Sequence, residues 1–157
     1  MTAQPLRVTV QNVAKLDGTP GKAQIARWVA AAAGPAARGE ITVRVVDEAE
    51  SADLNARYRG RAGPTNVLAF GGDAELPATD DELPALGDLV VCAAVVVREA
   101  VEQRKAPAAH WCHIVIHGSL HLFGYDHGSE PQAAVMETRE RELLAGFEIS
   151  DPYAPID

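Results

Sequence analysis

Cysteine is scarce in this chain: two among 157 residues, Cys92 and Cys112. They form no Cys-x-x-Cys pair, and two cysteines build no disulfide framework. Both stand among apolar residues and read as buried thiols. Long apolar runs are missing too. The longest, residues 89–97, falls well short of the roughly 20 residues that cross a bilayer as a helix. Residues 1–20 lack the basic-then-apolar layout of a secretory signal. A cytoplasmic protein is therefore expected. Basic charge is also in deficit. The net charge of −8 argues against a generally basic, nucleic-acid-coating surface. The deficit is uneven, however. Residues 54–70 carry Arg57, Arg59 and Arg61 and no acid, whereas residues 71–88 carry six acids and no base. A local basic patch can coexist with an acidic whole. Equally, the arginines could simply be the solvated end of a helix, where cations suit the dipole.

What remains is ordinary globular material, 47% hydrophobic and 23% charged, of a length that suits one domain, residues 1–157. Strands are expected at residues 7–11, 41–46, 67–70 and 88–92. Helices are expected at 21–33, from Asp47 to about Tyr58, from the fourth strand to about Lys105, from Pro107 to Gly124, and at 133–145. Asp47 reads as an N-cap, with Glu50 at the capping-box position. Residues 71–86 read as an acidic, proline-containing loop, and 151–157 as a surface tail. Four short strands among five helices make an α+β or α/β domain.

All five histidines lie between positions 110 and 127. Three have the spacing His117-x3-His121-x5-His127. On a helix the first two share one face, one turn apart. Pro107 suits a first turn, and Ile114, Val115, Ile116, Leu120 and Leu122 give that helix a buried side. Gly124 supplies the left-handed residue that stops a helix, and the turn can return His127 to the pair. Three histidines leave a fourth tetrahedral position open, as catalytic zinc sites do, although imidazole also suits nickel, copper and iron. His110 and His113 lie in the same helical arc. His110 is roughly 16 Å up the axis from His121, at about 1.5 Å per residue, and cannot share its metal. His113 could pair with His117, but His127 would then be hard to reach. His110 and His113 are left as supporting, substrate-facing or core residues, with packing the simpler role for His110.

The residue after His117 is Gly118. In His-Glu-x-x-His peptidases a glutamate there is the general base, so ordinary metalloprotease chemistry is disfavoured. The proton acceptor must come from elsewhere, or from water acidified on the metal to a pKa of about 7. Asp126 is the nearest carboxylate in sequence; it could also orient a ligand histidine.

The stretch His117-Gly-Ser-Leu-His-Leu-Phe-Gly-Tyr-Asp-His127 resembles the H-G-x-L-H-L-x-G-Y-D-H motif of the YbeY family, metal-dependent endoribonucleases of bacterial rRNA maturation. Leu54-Asn-Ala-Arg-Tyr-Arg59, Pro64-Thr-Asn-Val-Leu-Ala-Phe70 and Leu86-Gly-Asp-Leu-Val-Val-Cys92 resemble its other blocks in order. Residues 136–153 resemble its last helix and Asp-Pro-Tyr ending. The resemblance covers about residues 40–153. It departs at Ala69, where serine is common. It implies zinc held by His117, His121 and His127, a functional Arg59, and a zincin-like α+β fold with a small mixed four-stranded sheet beside the metal helix. It also implies single-strand-specific RNA cleavage in 16S rRNA 3′-end maturation and ribosome quality control, with rRNA, the ribosome or its small subunit, and assembly factors as partners.

The chemistry expected is phosphodiester hydrolysis at one metal, with Arg59 neutralising charge on the phosphate and His113 or Asp126 transferring a proton. Two rivals remain open. One is a zinc hydrolase acting on an amide or small molecule. The other is a non-enzymatic ribosome-assembly factor whose zinc is structural.

Overall fold

The computed structural model describes residues 6–71 and 84–154. The acidic loop expected after residue 71 lies largely outside them, as does the end of the tail. The elements run β1 (Leu6–Asn12), α1 (Lys22–Ala33), β2 (Gly39–Val46), α2 (Glu48–Arg59), β3 (Val67–Gly71), β4 (Ala85–Cys92), α3 (Ala93–Glu102), α4 (Pro107–Leu122) and α5 (Glu130–Gly146). This is the α+β architecture expected. The sheet order is β1-β2-β4-β3. β1, β2 and β4 are parallel, and β3 joins β4 antiparallel.

Alternation along the strands divides the core. Ile41, Val43, Val45, Leu89 and Val91 face one way and pack with α1, α4 and α5. Val46, Leu68, Val90 and Cys92 face the other way and pack with Val95 of α3 and Leu54 of α2. Successive side chains of a strand point to opposite faces, so one sheet serves both clusters. α4 is the central helix. Trp111, Cys112, Val115, Ile116 and Leu120 are fully buried on it, each stabilising by roughly 1.5–3 kcal/mol for a large side chain. Burial pushes the Cys112 thiol up to about 12 and raises that of Cys92, so both are inert thiols as expected.

Gly118 explains itself in this packing. A Cβ there would lie 2.8 Å from Val67 Cγ2 and 3.1 Å from Leu89 Cδ2. α4 presses against β3 and β4 at this point, and no larger side chain fits.

Local details differ from expectation at three helices. Asp47 does cap α2, accepting from the Glu50 N–H at 2.9 Å. The Glu50 side chain does not reach back, because it forms a two-pronged pair with Arg44 at 2.5 and 3.1 Å. A charge-assisted fork outcompetes one backbone donor. α3 ends at Glu102, short of Lys105. Its C-terminal turn is closed by Lys105 N–H to Ala100 O and Arg104 N–H to Val101 O, with Arg104 at φ 55°. That is a Schellman closure with arginine in the glycine position. α5 begins at Glu130, ahead of the expected Ala133, because Ser129 caps it by accepting from Gln132 N–H and Pro131 sits in its first turn.

Candidate metal centre

His117 and His121 project from the last two turns of α4. The helix then stops in another Schellman closure: Tyr125 N–H bonds Leu120 O at 3.0 Å and Gly124 N–H bonds His121 O at 3.2 Å. Gly124 has φ 96°, a conformation that favours glycine. Asp126 accepts from the His127 N–H at 2.7 Å, which sets the next turn. One nitrogen from each of His117, His121 and His127 comes within 4.8 Å of the others. Their ring centroids are 4.9, 5.6 and 4.9 Å apart. Sequence spacing therefore located the convergence correctly.

The three histidines open onto a cleft of about 710 Å³ that Arg59, Asn66, Ala69 and Asp126 also line. Arg59 is placed by a series of polar contacts. Ser51 Oγ both donates to Thr65 O and accepts from Thr65 N–H, and Asn55 Nδ2 donates to Gly63 O at 2.9 Å. These pin α2 to the loop before β3. Arg59 then donates to Ala69 O at 2.8 Å and lies 5.7 Å from the Phe70 ring. The contact to residue 69 is made by its carbonyl, so the alanine there leaves this bond intact. Arg57 pairs instead with exposed Asp53 at 3.4 Å and is the solvated helix end. Among the described residues Asp126 makes no bond to a histidine ring; it shapes the turn and faces the cleft.

The other two histidines turn away from the cleft. His113 Nε2 is 3.2 Å from Glu140 Oε2, and His110 Nε2 is 2.9 Å from Glu99 Oε1. Glu99 also accepts from Asn66 Nδ2 at 3.1 Å, so His110 anchors the entry to β3 rather than merely filling space. Nδ1 of each ring is buried and has no partner among the described residues. Burial lowers the pKa of His113 despite its bond to Glu140. A neutral imidazole whose proton-bearing nitrogen is already engaged is poorly placed to shuttle protons in the cleft.

Glu140 is the residue that sequence reading missed. It is 0% exposed and accepts from His117 Nδ1 at 2.5 Å, from His113 Nε2 and from the Tyr153 hydroxyl. Burial opposes its ionisation, but these three donors outweigh burial and hold it at about 2. The Tyr153 hydroxyl is held upward in turn, by burial and by the carboxylate beside it. A signal existed: Glu140 lies midway between buried Met136 and Leu144, four residues from each, on the apolar stripe of α5.

The donors suit a transition metal. Three imidazoles are a known zinc set. Burial, then the neighbouring His117 and His127, lowers the pKa of His121 and favours its neutral, ligating form. His113, His117 and Glu140 form a second close group, but hydrogen bonding accounts for it. At 2.5 Å, His117 and Glu140 are closer than two ligands of one tetrahedral zinc, about 3.3 Å from bonds of 2.0–2.1 Å.

Residues 10–148 match the family described as Endoribonuclease YbeY. The chain belongs to the YbeY endoribonuclease family. It is 54% identical over 142 residues to the Endoribonuclease YbeY of Alkalilimnicola ehrlichii, covering 87% of this chain and 83% of that protein. A solution structure from Thermotoga maritima shares the fold at 24% identity, with a TM-score of 0.50, 96% of this chain and 99% of that one covered. As a YbeY-family protein the chain is an RNA-cleaving hydrolase of a metal-dependent class. Among the described residues, no helix is long and apolar enough to cross a membrane.

Proposed function

We propose that this endoribonuclease cuts single-stranded RNA in the cleft beside α4, as part of 16S rRNA 3′-end maturation and ribosome quality control in the cytoplasm. Its partners on this reading are rRNA and the small ribosomal subunit. The observation that carries the site is the meeting of His117, His121 and His127 with Arg59 and Asp126 in one cleft. His117, His121 and His127 would hold one zinc ion. Zinc bound there supplies Lewis acidity toward a phosphoryl oxygen and acidifies water.

The remaining work falls to side chains. Arg59, held by the Ala69 carbonyl, presents its other guanidinium N–H groups to a phosphate in a planar fork suited to two oxygens. Asp126, exposed at the cleft, accepts the proton from the attacking oxygen. His113 stays behind His117 and supports Glu140. The acidic total charge is no obstacle, because Arg59 and Arg61 both line the cleft and place cations where a phosphate would enter. Purified protein should cleave an unstructured RNA oligonucleotide, leave the matching duplex intact and leave a peptide panel untouched. Hydrolysis of peptides with intact RNA would reverse the assignment.

A further inference from the structure

Reading His117, His121 and His127 as ligands, we propose that Glu140 is a positioning residue for His117 and that Tyr153, carried by the C-terminal segment, completes the hold. Glu140 is a charge with no exposure, on a helix face whose neighbours are Met136 and Leu144. Such a group persists only where hydrogen bonds replace its water. All three of its partners are donors: His117 Nδ1–H, His113 Nε2–H and Tyr153 O–H. A neutral imidazole carries its proton on one nitrogen only. With Nδ1–H committed to Glu140, Nε2 of His117 becomes the basic nitrogen, and the ring plane is fixed. A carboxylate behind a ligand histidine also raises its basicity.

The C-terminal segment is built to deliver Tyr153. Asp151 Oδ1 accepts from the Tyr153 N–H at 2.8 Å, and Asp151 Oδ2 pairs with Arg141 Nε at 3.0 Å. The Arg141 guanidinium stands 5.4 Å from the Tyr153 ring centroid. Lys105 Nζ donates to Pro152 O at 3.3 Å. None of residues 151–153 lines the cleft, yet Tyr153 is one residue removed from a ligand. The described part of this segment lies at the surface, as expected, and through Tyr153 it also reaches Glu140 behind the metal helix.

The test uses the full-length apo protein and Zn²⁺ competed against a chromophoric chelator, for wild type, H121A, E140Q and Y153F. Long-range ¹H–¹⁵N correlation spectra of the apo protein read the His117 tautomer independently. Wild type should show Nδ1–H. Zn²⁺ affinity should fall about 10–100-fold in E140Q and on the order of fivefold in Y153F, the indirect partner. Unchanged affinity in both variants, with only thermal stability lost, overturns the proposal. So does an Nε2–H tautomer in wild type, a readout that stands if E140Q does not fold. Wild-type affinity in H121A would instead overturn the ligand reading.

Discussion

The two ends of α4 carry the same residue type in one helical arc and put it to opposite use. At the N-terminal end, His110 and His113 face carboxylates, Glu99 and Glu140, at 2.9 and 3.2 Å. At the C-terminal end, His121 and, from the turn beyond the helix, His127 face each other and an open cleft, with His117 between the two regimes. It touches Glu140 through Nδ1 and also comes together with His121 and His127 at the cleft. The lesson is that spacing alone does not assign a histidine. The partner brought to it by another element does, and those partners come from α3 and α5, far away in sequence.

Breaking the cleft end should have the largest effect. H121A removes a proposed ligand, and RNA cleavage should fall by more than about 100-fold, beyond the roughly 10–100-fold typical of losing an outer partner, while the apo fold melts cooperatively. R59A should come next. Loss of one preorganised charge-stabilising donor costs about 10²-fold in turnover, and R59K should recover only part because lysine lacks the fork. Single-turnover cleavage with metal content held constant checks both.

Breaking the outermost contact of the buried end, His110 with Glu99, should leave metal binding alone. H110A deprives Glu99 of a donor in a half-buried setting, with an expected loss of about 1–3 kcal/mol. Denaturant unfolding measures this, and Zn²⁺ affinity should be unchanged. A large drop in affinity would erase the distinction between the ends. Acid should also destabilise the apo protein. Folding lowers the pKa of His113 and His121 from 6.5, so the unfolded chain binds more protons there and stability falls as pH drops below that value. Glu140 falls from 4.5 to about 2 on folding, so its contribution is present above about 4.5 and is lost as pH falls toward 2. Stability independent of pH from 6.5 to 3 would contradict these environments.

Much of the cleft end was legible in the sequence. His117, His121 and His127 are linked by local rules, a helical turn and a glycine stop, and the elements followed from periodicity and caps. The buried end was not. Glu99 and Glu140 reach their histidines from 11 and 23 residues away, across helix packing that no spacing encodes. Gly118 shows the limit from the other side. Sequence marked it as the residue that is not glutamate, but only the 2.8 Å approach to Val67 gives the cause, which is packing. Strand order was likewise invisible, since β3 could have joined either edge.

On the proposed reading, His117, His121 and His127 hold one metal at the cleft end of α4, and Glu140 holds His117 in place from behind. Zn²⁺ stoichiometry of the native protein, measured beside H121A, tests this most directly. One ion per wild-type chain and none in H121A is the predicted result. Two ions per chain, with one retained in H121A, would mean that His113, His117 and Glu140 form a metal site of their own, and would contradict the account.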